Sequence, residues 1–153
     1  MQTGKATPWA ITDTLDGLVS LAWTTFIGSD IVRVDARELG DDVVCSSISI
    51  SGPSSATVLF FTDPGLARSG ASTVLDIPAM DLTDGDVHDV MGEIVNIIGG
   101  NLKGVVSDED SEWSLTLPVV SNAMQSSPGT RLTAEVHFLT EGGVMGCQIL
   151  EHS

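Results

Sequence analysis

The sequence predicts an α+β fold, in which helices pack on a mixed, largely antiparallel sheet within one domain of residues 1–153. Segments with apolar residues at helical spacing occur in both halves of the chain, and strand-like segments follow each of them. The composition, with 42% hydrophobic and 18% charged residues, is typical of a globular chain that buries one core. Because the two halves repeat a similar order of elements, the sequence also favours an old internal duplication.

The first half of the chain predicts one helix, two strands and a second helix. Residues 13–28 place apolar side chains at helical spacing, and residues 41–51 alternate as a strand does. Residues 56–62 are apolar on both faces, which suits a central strand. Asp63 and Pro64 predict a helix start, because aspartate can cap free amides and proline is tolerated at the first helical position.

A long helix predicted at residues 86–103 combines an apolar stripe with a polar column on the opposite side. The stripe consists of Val87, Val90, Met91, Ile94 and Ile98. Asp89, Glu93 and Asn96 follow one another at spacings of four and three residues, which groups them on the other side. Asparagine is a poor residue for a helix interior, because its amide competes for backbone hydrogen bonds. The column therefore predicts a functional site, with an ordinary solvated face as the alternative.

Three strands are predicted after this helix, at residues 112–120, 131–140 and 144–150. Gly99 and Gly100 can adopt the left-handed conformation, so we expect them to end the helix. The first of the three strands should be half-buried through alternate apolar residues: Trp113, Leu115, Leu117 and Val119. Gly142 and Gly143 fit a two-residue hairpin turn between the last two strands.

The charge of the chain restricts the class of its partners. A net charge of −15, with only six lysine and arginine residues, argues against nucleic acid and against anionic membrane surfaces. The sequence has no apolar run long enough to cross a bilayer, and residues 1–8 lack a following apolar signal core. We therefore expect no membrane association and a cytoplasmic location.

The cysteines and histidines indicate no metal site of the chain's own. Cys45 and Cys147 are far apart and lack metal-ligand spacing, and a disulfide between them is left open. His88 is expected at the surface or its boundary. His137 alternates out of the apolar face of its strand, so we expect it to be solvated.

The pattern Asp89-x-x-x-Glu93-x-x-Asn96, continued by Gly-Asn-Leu-Lys at residues 100–103, resembles the signature helix of the CheC/CheX/FliY phosphatases of bacterial chemotaxis. The surrounding blocks resemble the single-site CheX branch, namely residues 47–52, 57–61, 66–67 and 115–120 with the Gly-Gly hairpin that follows. In the two-site CheC branch the signature also occurs in the first helix. Here Gly17 stands at the position of Glu93 and Ser20 at that of Asn96, which suits the CheX branch.

The resemblance implies a phosphatase that hydrolyses the phospho-aspartate of a CheY-like response regulator. By motif position, Asn96 would orient the attacking water, Glu93 would contact the active-site lysine of the partner, and Asp89 would support the same partner-binding surface. Mg²⁺ would be carried by the receiver domain, with no cofactor held by this chain. The resemblance also implies a homodimer with sheet pairing between subunits.

Two other functions remain open at this point. The first is a non-catalytic module that docks a receiver domain without hydrolysing its phosphate, and the second is a signalling or motor-switch scaffold. Retention of both Glu93 and Asn96 favours the enzyme. Since receiver active sites are rich in carboxylates, docking should depend on local pairing through Glu93, and added salt should not weaken it much.

Overall fold

In the computed structural model, which describes residues 7–153, three α-helices cover one face of a seven-stranded sheet. The helices are α1 (Thr12–Phe26), α2 (Pro64–Leu75) and α3 (Asp84–Val106), with a short 3-10 turn at Ala79–Asp81. The strands are β1 (Val32–Val34), β2 (Val44–Ser51), β3 (Ser55–Thr62), β4 (Ser114–Leu115), β5 (Val119–Ser121), β6 (Thr130–Thr140) and β7 (Gly143–His152).

Every strand pairing in this sheet is antiparallel, in the order β1-β6-β7-β3-β2-β4, with β5 also pairing with β2. Each half of the chain supplies the outer partner of the other half's hairpin: β1 pairs with β6, while β4 and β5 pair with β2. The hairpins β2–β3 and β6–β7 meet in the centre through β3 and β7. The internal duplication stays a prediction.

The main core lies between the sheet and the helices. Alternate side chains of the four long strands point into it, as the period of two in a strand requires. Val58 and Phe60 of β3 are buried there, and the Trp23 ring of α1 lies with its centroid 6.3 Å from that of Phe60. Each fully buried large apolar side chain contributes about 1.5–3 kcal/mol by leaving water. The central position predicted for residues 56–62 is confirmed.

The opposite face of the sheet carries a second, smaller core, and this makes the solvated position predicted for His137 wrong. Leu59 and Phe61 of β3 are buried on this side. His137 is 5% exposed, its ring packs edge-on against Phe61, and its Nδ1 accepts the backbone N–H of Arg37. The strand alternation is as expected, but the segment around Arg37 covers this face, and that contact is invisible in a local pattern.

The strand predicted at residues 112–120 is divided in two. Pro118 has no N–H to donate to a ladder, and the chain leaves β2 between β4 and β5. Leu117 is 86% exposed and Val119 is 60% exposed, so the prediction that both face the core is wrong. Trp113 and Leu115 do pack against the main core.

Two expected helix ends differ in detail. Asp63 is the N-cap residue of α2, but its carboxylate makes no cap bond and accepts the backbone N–H of Val144 at 2.8 Å instead. Gly99 and Gly100 do not end α3, which continues to Val106. At Gly99 the helix packs closely on β2, since a Cβ there would lie 2.7 Å from Cγ2 of Ile48. Glycine at this position is therefore explained by the packing of α3 and not by a helix end.

The remaining strand predictions agree with the structure within a few residues. The hairpin between β6 and β7 has a two-residue turn, which lies at Glu141 and Gly142, one residue earlier than expected.

Cys45 and Cys147 are free and buried, and burial raises the pKa of both thiols. Across residues 7–153, no helix is both long enough and apolar enough to span a membrane.

We expect Gly99→Ala to lower the free energy of unfolding by about 1–3 kcal/mol, because its new Cβ would overlap the Ile48 side chain. Urea denaturation measures this change. Gly104→Ala is the matched control, since a Cβ at Gly104 in the same helix meets nothing within 4 Å. The control should be neutral or stabilise the protein by up to about 1 kcal/mol through helix propensity. Equal effects of the two substitutions would contradict the close packing.

Candidate functional site

The long helix α3 has a well-defined start, which fixes the register of the residues that follow. The Thr83 hydroxyl accepts the N–H of Asp86 at 3.1 Å, and the Asp86 carboxylate accepts the N–H of Thr83 at 2.9 Å. This reciprocal pair is a capping box, which satisfies two donors that a helix start otherwise leaves free. Asp84 in the first turn and Lys103 in the last both oppose the helix dipole.

The inner side of α3 is buried in the main core. Its buried residues are Val87, Val90, Met91, Gly92, Ile94, Val95, Ile98, Gly99 and Leu102. This set contains the whole predicted stripe and adds two glycines at which the helix comes close to its neighbours. With this side held against the sheet, the orientation of the outer side is fixed as well.

The structure brings together the three site residues predicted from the sequence. Asp89 and Glu93 are exposed and Asn96 is half-buried, all on the outer side of α3. Helical spacings of three and four residues separate their Cβ atoms by about 5–6 Å. We call these three residues the polar ridge. Within the described chain, none of their side chains forms a hydrogen bond or an ion pair with another residue, so the ridge presents an acid, a second acid and an amide to solvent.

The polar ridge lies between two neighbouring elements. On one side α1 packs along α3. On the other side runs the β4–β5 segment, because a Cβ at Gly92 would lie 3.4 Å from Val120 and 3.5 Å from Pro118. A Cβ at Gly99 would lie 3.6 Å from Leu115. The ridge is therefore carried on a helix supported on both flanks, a placement more precise than a loop would give.

The matching positions of α1 do not form a second ridge of this kind. Asp13 and Gly17 are exposed and Ser20 is half-buried, the same order of exposure as Asp89, Glu93 and Asn96. However, Asp13 is paired with Arg33 at 3.4 Å, and the Ser20 hydroxyl donates to Asp16. The hydrogen bond to Asp16 also raises the pKa of Arg33. With no acid at position 17 and no amide at position 20, α1 lacks the chemistry that α3 offers.

Other polar residues near α3 have ordinary structural partners. His88 is partly exposed, and its Nε2 lies 2.8 Å from Oδ1 of Asn122, as befits the boundary position predicted for it. Within residues 7–153, no three histidine, cysteine, aspartate or glutamate side chains lie together so that they could hold a metal ion.

Sequence reasoning missed the apolar surroundings of the ridge. The sequence predicts Leu117 and Val119 in the core and assigns no role to Leu21, yet all three are exposed. Leu117 and Val119 lie in the β4–β5 segment that flanks α3, and Leu21 lies on α1. The signal available for the first two was Pro118, which breaks the alternation of the strand.

The class defined by this fold and site is an antiparallel α+β protein whose longest helix presents to solvent an acid and an amide that are unpaired within residues 7–153. The model of the family described as "Chemotaxis phosphatase CheX" matches residues 44–137, which include α3 and most of the sheet. Because this match spans more than half of the chain, the protein belongs to the CheX family of chemotaxis phosphatases.

Solved structures agree with this assignment. CheX from Vibrio vulnificus is similar with a TM-score of 0.76 and 17% identity, over 97% of this chain and 100% of that chain. A CheX–CheY–BeF3–Mg complex from Borrelia burgdorferi is similar with a TM-score of 0.75 and 16% identity, over 92% and 97%. Thermotoga maritima FliY is similar with a TM-score of 0.59 and 16% identity, over 90% and 84%. These likenesses confirm the predicted fold. Comparison with curated proteins finds no match.

We expect Thr83→Ala to lower the free energy of unfolding by about 1 kcal/mol, because it removes the acceptor for the Asp86 amide at the start of α3. Thr83→Ser keeps an acceptor hydroxyl and should retain most of the stability. Chemical denaturation of the two variants beside the parent protein provides the comparison. If Thr83→Ser lost as much free energy of unfolding as Thr83→Ala, the cap hydrogen bond would not be the cause of the destabilisation.

Proposed function

We propose that this protein hydrolyses the aspartyl phosphate of a CheY-like receiver domain, using Asn96 and Glu93. One observation carries the proposal: a carboxylate and a carboxamide one turn apart on a supported helix, with no partner for either side chain among the described residues. Membership of a family of chemotaxis phosphatases supports the reaction. The Borrelia CheX complex supports the choice of partner, since that protein was solved together with CheY.

In the proposed mechanism, Asn96 positions a water molecule for in-line attack on phosphorus. Its carboxamide oxygen accepts a hydrogen bond from the water, and its NH₂ group can donate to a phosphoryl oxygen without changing charge. The water oxygen forms the new bond to phosphorus, while the bond from phosphorus to the receiver's aspartate oxygen breaks. The aspartate leaves as a carboxylate, and the protons of the water go to the phosphate product and to solvent. Because an acyl phosphate is already activated, positioning supplies most of the rate increase.

Glu93 is proposed to pair with the active-site lysine of the receiver. This pairing sets how far Asn96 extends into the receiver's active site. Its carboxylate is exposed and free to accept such a cation. Asp89, one turn earlier on the same ridge, is proposed to support this contact. Mg²⁺ is proposed to come with the receiver domain, where it neutralises the phosphoryl oxygens.

A receiver-docking module without hydrolysis is the second candidate function. Such a module would have the same fold, which this chain shares with Thermotoga maritima FliY. The enzyme and the docking module differ in one respect only: whether the amide of Asn96 accelerates loss of the phosphate.

A homodimer formed by pairing of sheet edges is also proposed. In the described sheet β1 is an edge strand, paired only with β6. Its outer backbone groups pair with no other strand of the described sheet, and its residue Val32 is 64% exposed.

We expect Asn96→Ala to reduce the rate of receiver dephosphorylation by at least about 100-fold while leaving receiver binding within about twofold, because it removes the amide that positions the water while Glu93 keeps its pairing with the receiver's lysine. The decay of a receiver phosphorylated with acetyl phosphate measures the first quantity. Titration with the beryllofluoride-activated receiver measures the second.

Glu109→Ala is the control for this experiment. It also truncates an exposed polar side chain, but beyond the end of α3 and outside the polar ridge, and should retain the rate at saturating receiver. Hydrolysis that survives in Asn96→Ala would remove Asn96 from the mechanism. Stable binding without faster decay in the parent protein would establish the docking module.

Binding of the receiver should weaken little as NaCl rises from about 50 to about 500 mM. This chain has a net charge of −15 and faces an acidic active site, so salt screens repulsion at least as much as it screens the Glu93 pair. Calorimetric titration at the two salt concentrations checks this. A steep loss of affinity would show that long-range attraction controls docking.

A further inference from the structure

Two exposed apolar surfaces border the polar ridge, one on each side. The first, the apolar shoulder, is residues 117–119, where Leu117 is 86% exposed and Val119 is 60% exposed. The second, the α1–α3 cleft, is lined by Leu21, Ala22, Thr25, Phe26, Ile97 and Asn101. Large apolar side chains left in water around a polar site are typical of protein contact surfaces.

The apolar shoulder lies beside the turn of α3 that carries Asn96. Leu115 approaches α3 at Gly99, and Pro118 approaches it at Gly92. Leu117 falls between these two contacts along the helix, as Asn96 falls between the two glycines. Leu117 therefore lies in the segment that flanks this part of α3, and its side chain is open to a partner that covers that flank.

The shoulder is held rigidly although it is exposed. On one side of Leu117, the N–H of Thr116 donates to the carbonyl of Ser49 at 3.0 Å, and the N–H of Ser49 donates to the Thr116 hydroxyl at 3.0 Å. On the other side, the Gln125 amide donates to the carbonyl of Val119 at 3.0 Å. A surface fixed in this way loses little conformational entropy when a partner binds.

The α1–α3 cleft provides the corresponding contact on the other side of the ridge. Its volume is about 300 Å³, enough for a large apolar side chain. Ile97, which lines the cleft, follows Asn96 directly in the chain, so the cleft borders the polar ridge at Asn96. Leu21 of α1, 57% exposed, forms the opposite wall.

Charge alone cannot hold an acidic receiver on this surface. The chain carries 21 acidic residues against six basic ones, and the ridge adds Asp89 and Glu93 at the contact itself. Local pairing of Glu93 with one lysine gives register, but the repulsion between two acidic surfaces remains. Burial of apolar surface is the attractive contribution that does not depend on the sign of the charges.

We propose that the apolar shoulder and the α1–α3 cleft are the docking contacts for the receiver domain, with Leu117 and Leu21 as the two anchors. They hold an apolar surface of the receiver on either side of the ridge while Asn96 reaches the phosphoryl group. This inference rests on the proposed function, since it names the surface by which the same partner binds. Leu117 and Leu21 contribute affinity, and Asn96 contributes the rate of the bound complex.

The test uses Leu117→Ser and Leu21→Ser in the 153-residue chain. Each should raise the Kd for the beryllofluoride-activated receiver by about 10-fold, the effect of truncating an interface anchor. Each should raise KM for the phosphorylated receiver similarly, with kcat unchanged within about twofold. Because both side chains are exposed, the urea midpoint of each variant should equal that of the parent protein.

Met80→Ser is the matched control, because Met80 is 89% exposed and lies before α3. The start of α3 at Asp84 is already about 18 Å from Asn96 along the helix axis. This variant should bind and hydrolyse as the parent protein does. Unchanged Kd in both leucine variants, or an equal loss in Met80→Ser, would overturn the docking surface. So would a change in self-association of the leucine variants, measured by sedimentation, without a change in receiver binding, since the surface would then belong to a second copy.

The two proposals fail in different measurements. If Asn96→Ala abolishes hydrolysis while the leucine variants bind normally, the phosphatase stands and the docking surface is wrong. If the leucine variants lose receiver binding while Asn96→Ala changes no decay rate, the docking surface stands and the proposed mechanism is wrong.

Discussion

The close contact between α3 and the sheet is the constraint on which the rest of this structure depends. At Gly99 the helix comes so near to β2 that a single methyl group would overlap Ile48. At Gly92 the helix lies beside the β4–β5 segment, where a Cβ would make ordinary van der Waals contact with Val120 and Pro118. These contacts fix both the height and the rotation of α3, so its outer side can point in only one direction. The position of the polar ridge is therefore set by the packing of the inner side of α3 on the sheet.

Rigid support of this kind suits the chemistry proposed for the ridge. Hydrolysis of an acyl phosphate demands little covalent work from the enzyme, so most of its contribution is the placement of one water molecule. An amide on a packed helix can be placed more accurately than an amide on a loop. The capping box at Thr83 and Asp86 contributes to the same result from the far end, by fixing where the helix begins.

The comparison of α1 with α3 shows how one scaffold presents one site. Both helices lie on the same face of the sheet and place their corresponding residues at similar exposure. On α1, however, Asp13 forms a surface ion pair with Arg33, and Gly17 leaves no side chain where Glu93 stands on α3. The difference is one of side-chain chemistry and ion pairing on similar backbones, which is consistent with the single-site CheX branch and with a role for α1 as a wall of the docking surface.

The sequence by itself determined the helices, the long strands and the face of α3 that carries Asp89, Glu93 and Asn96. These features depend on periods of 3.6 and 2 residues, which are local properties of the chain. Tertiary structure decided what local patterns do not contain: Gly99 is a packing contact and not a helix end, His137 is buried, and Leu117 is exposed. Each outcome depends on a residue distant in sequence, Ile48, Arg37 or Ser49, and only folding brings those pairs together.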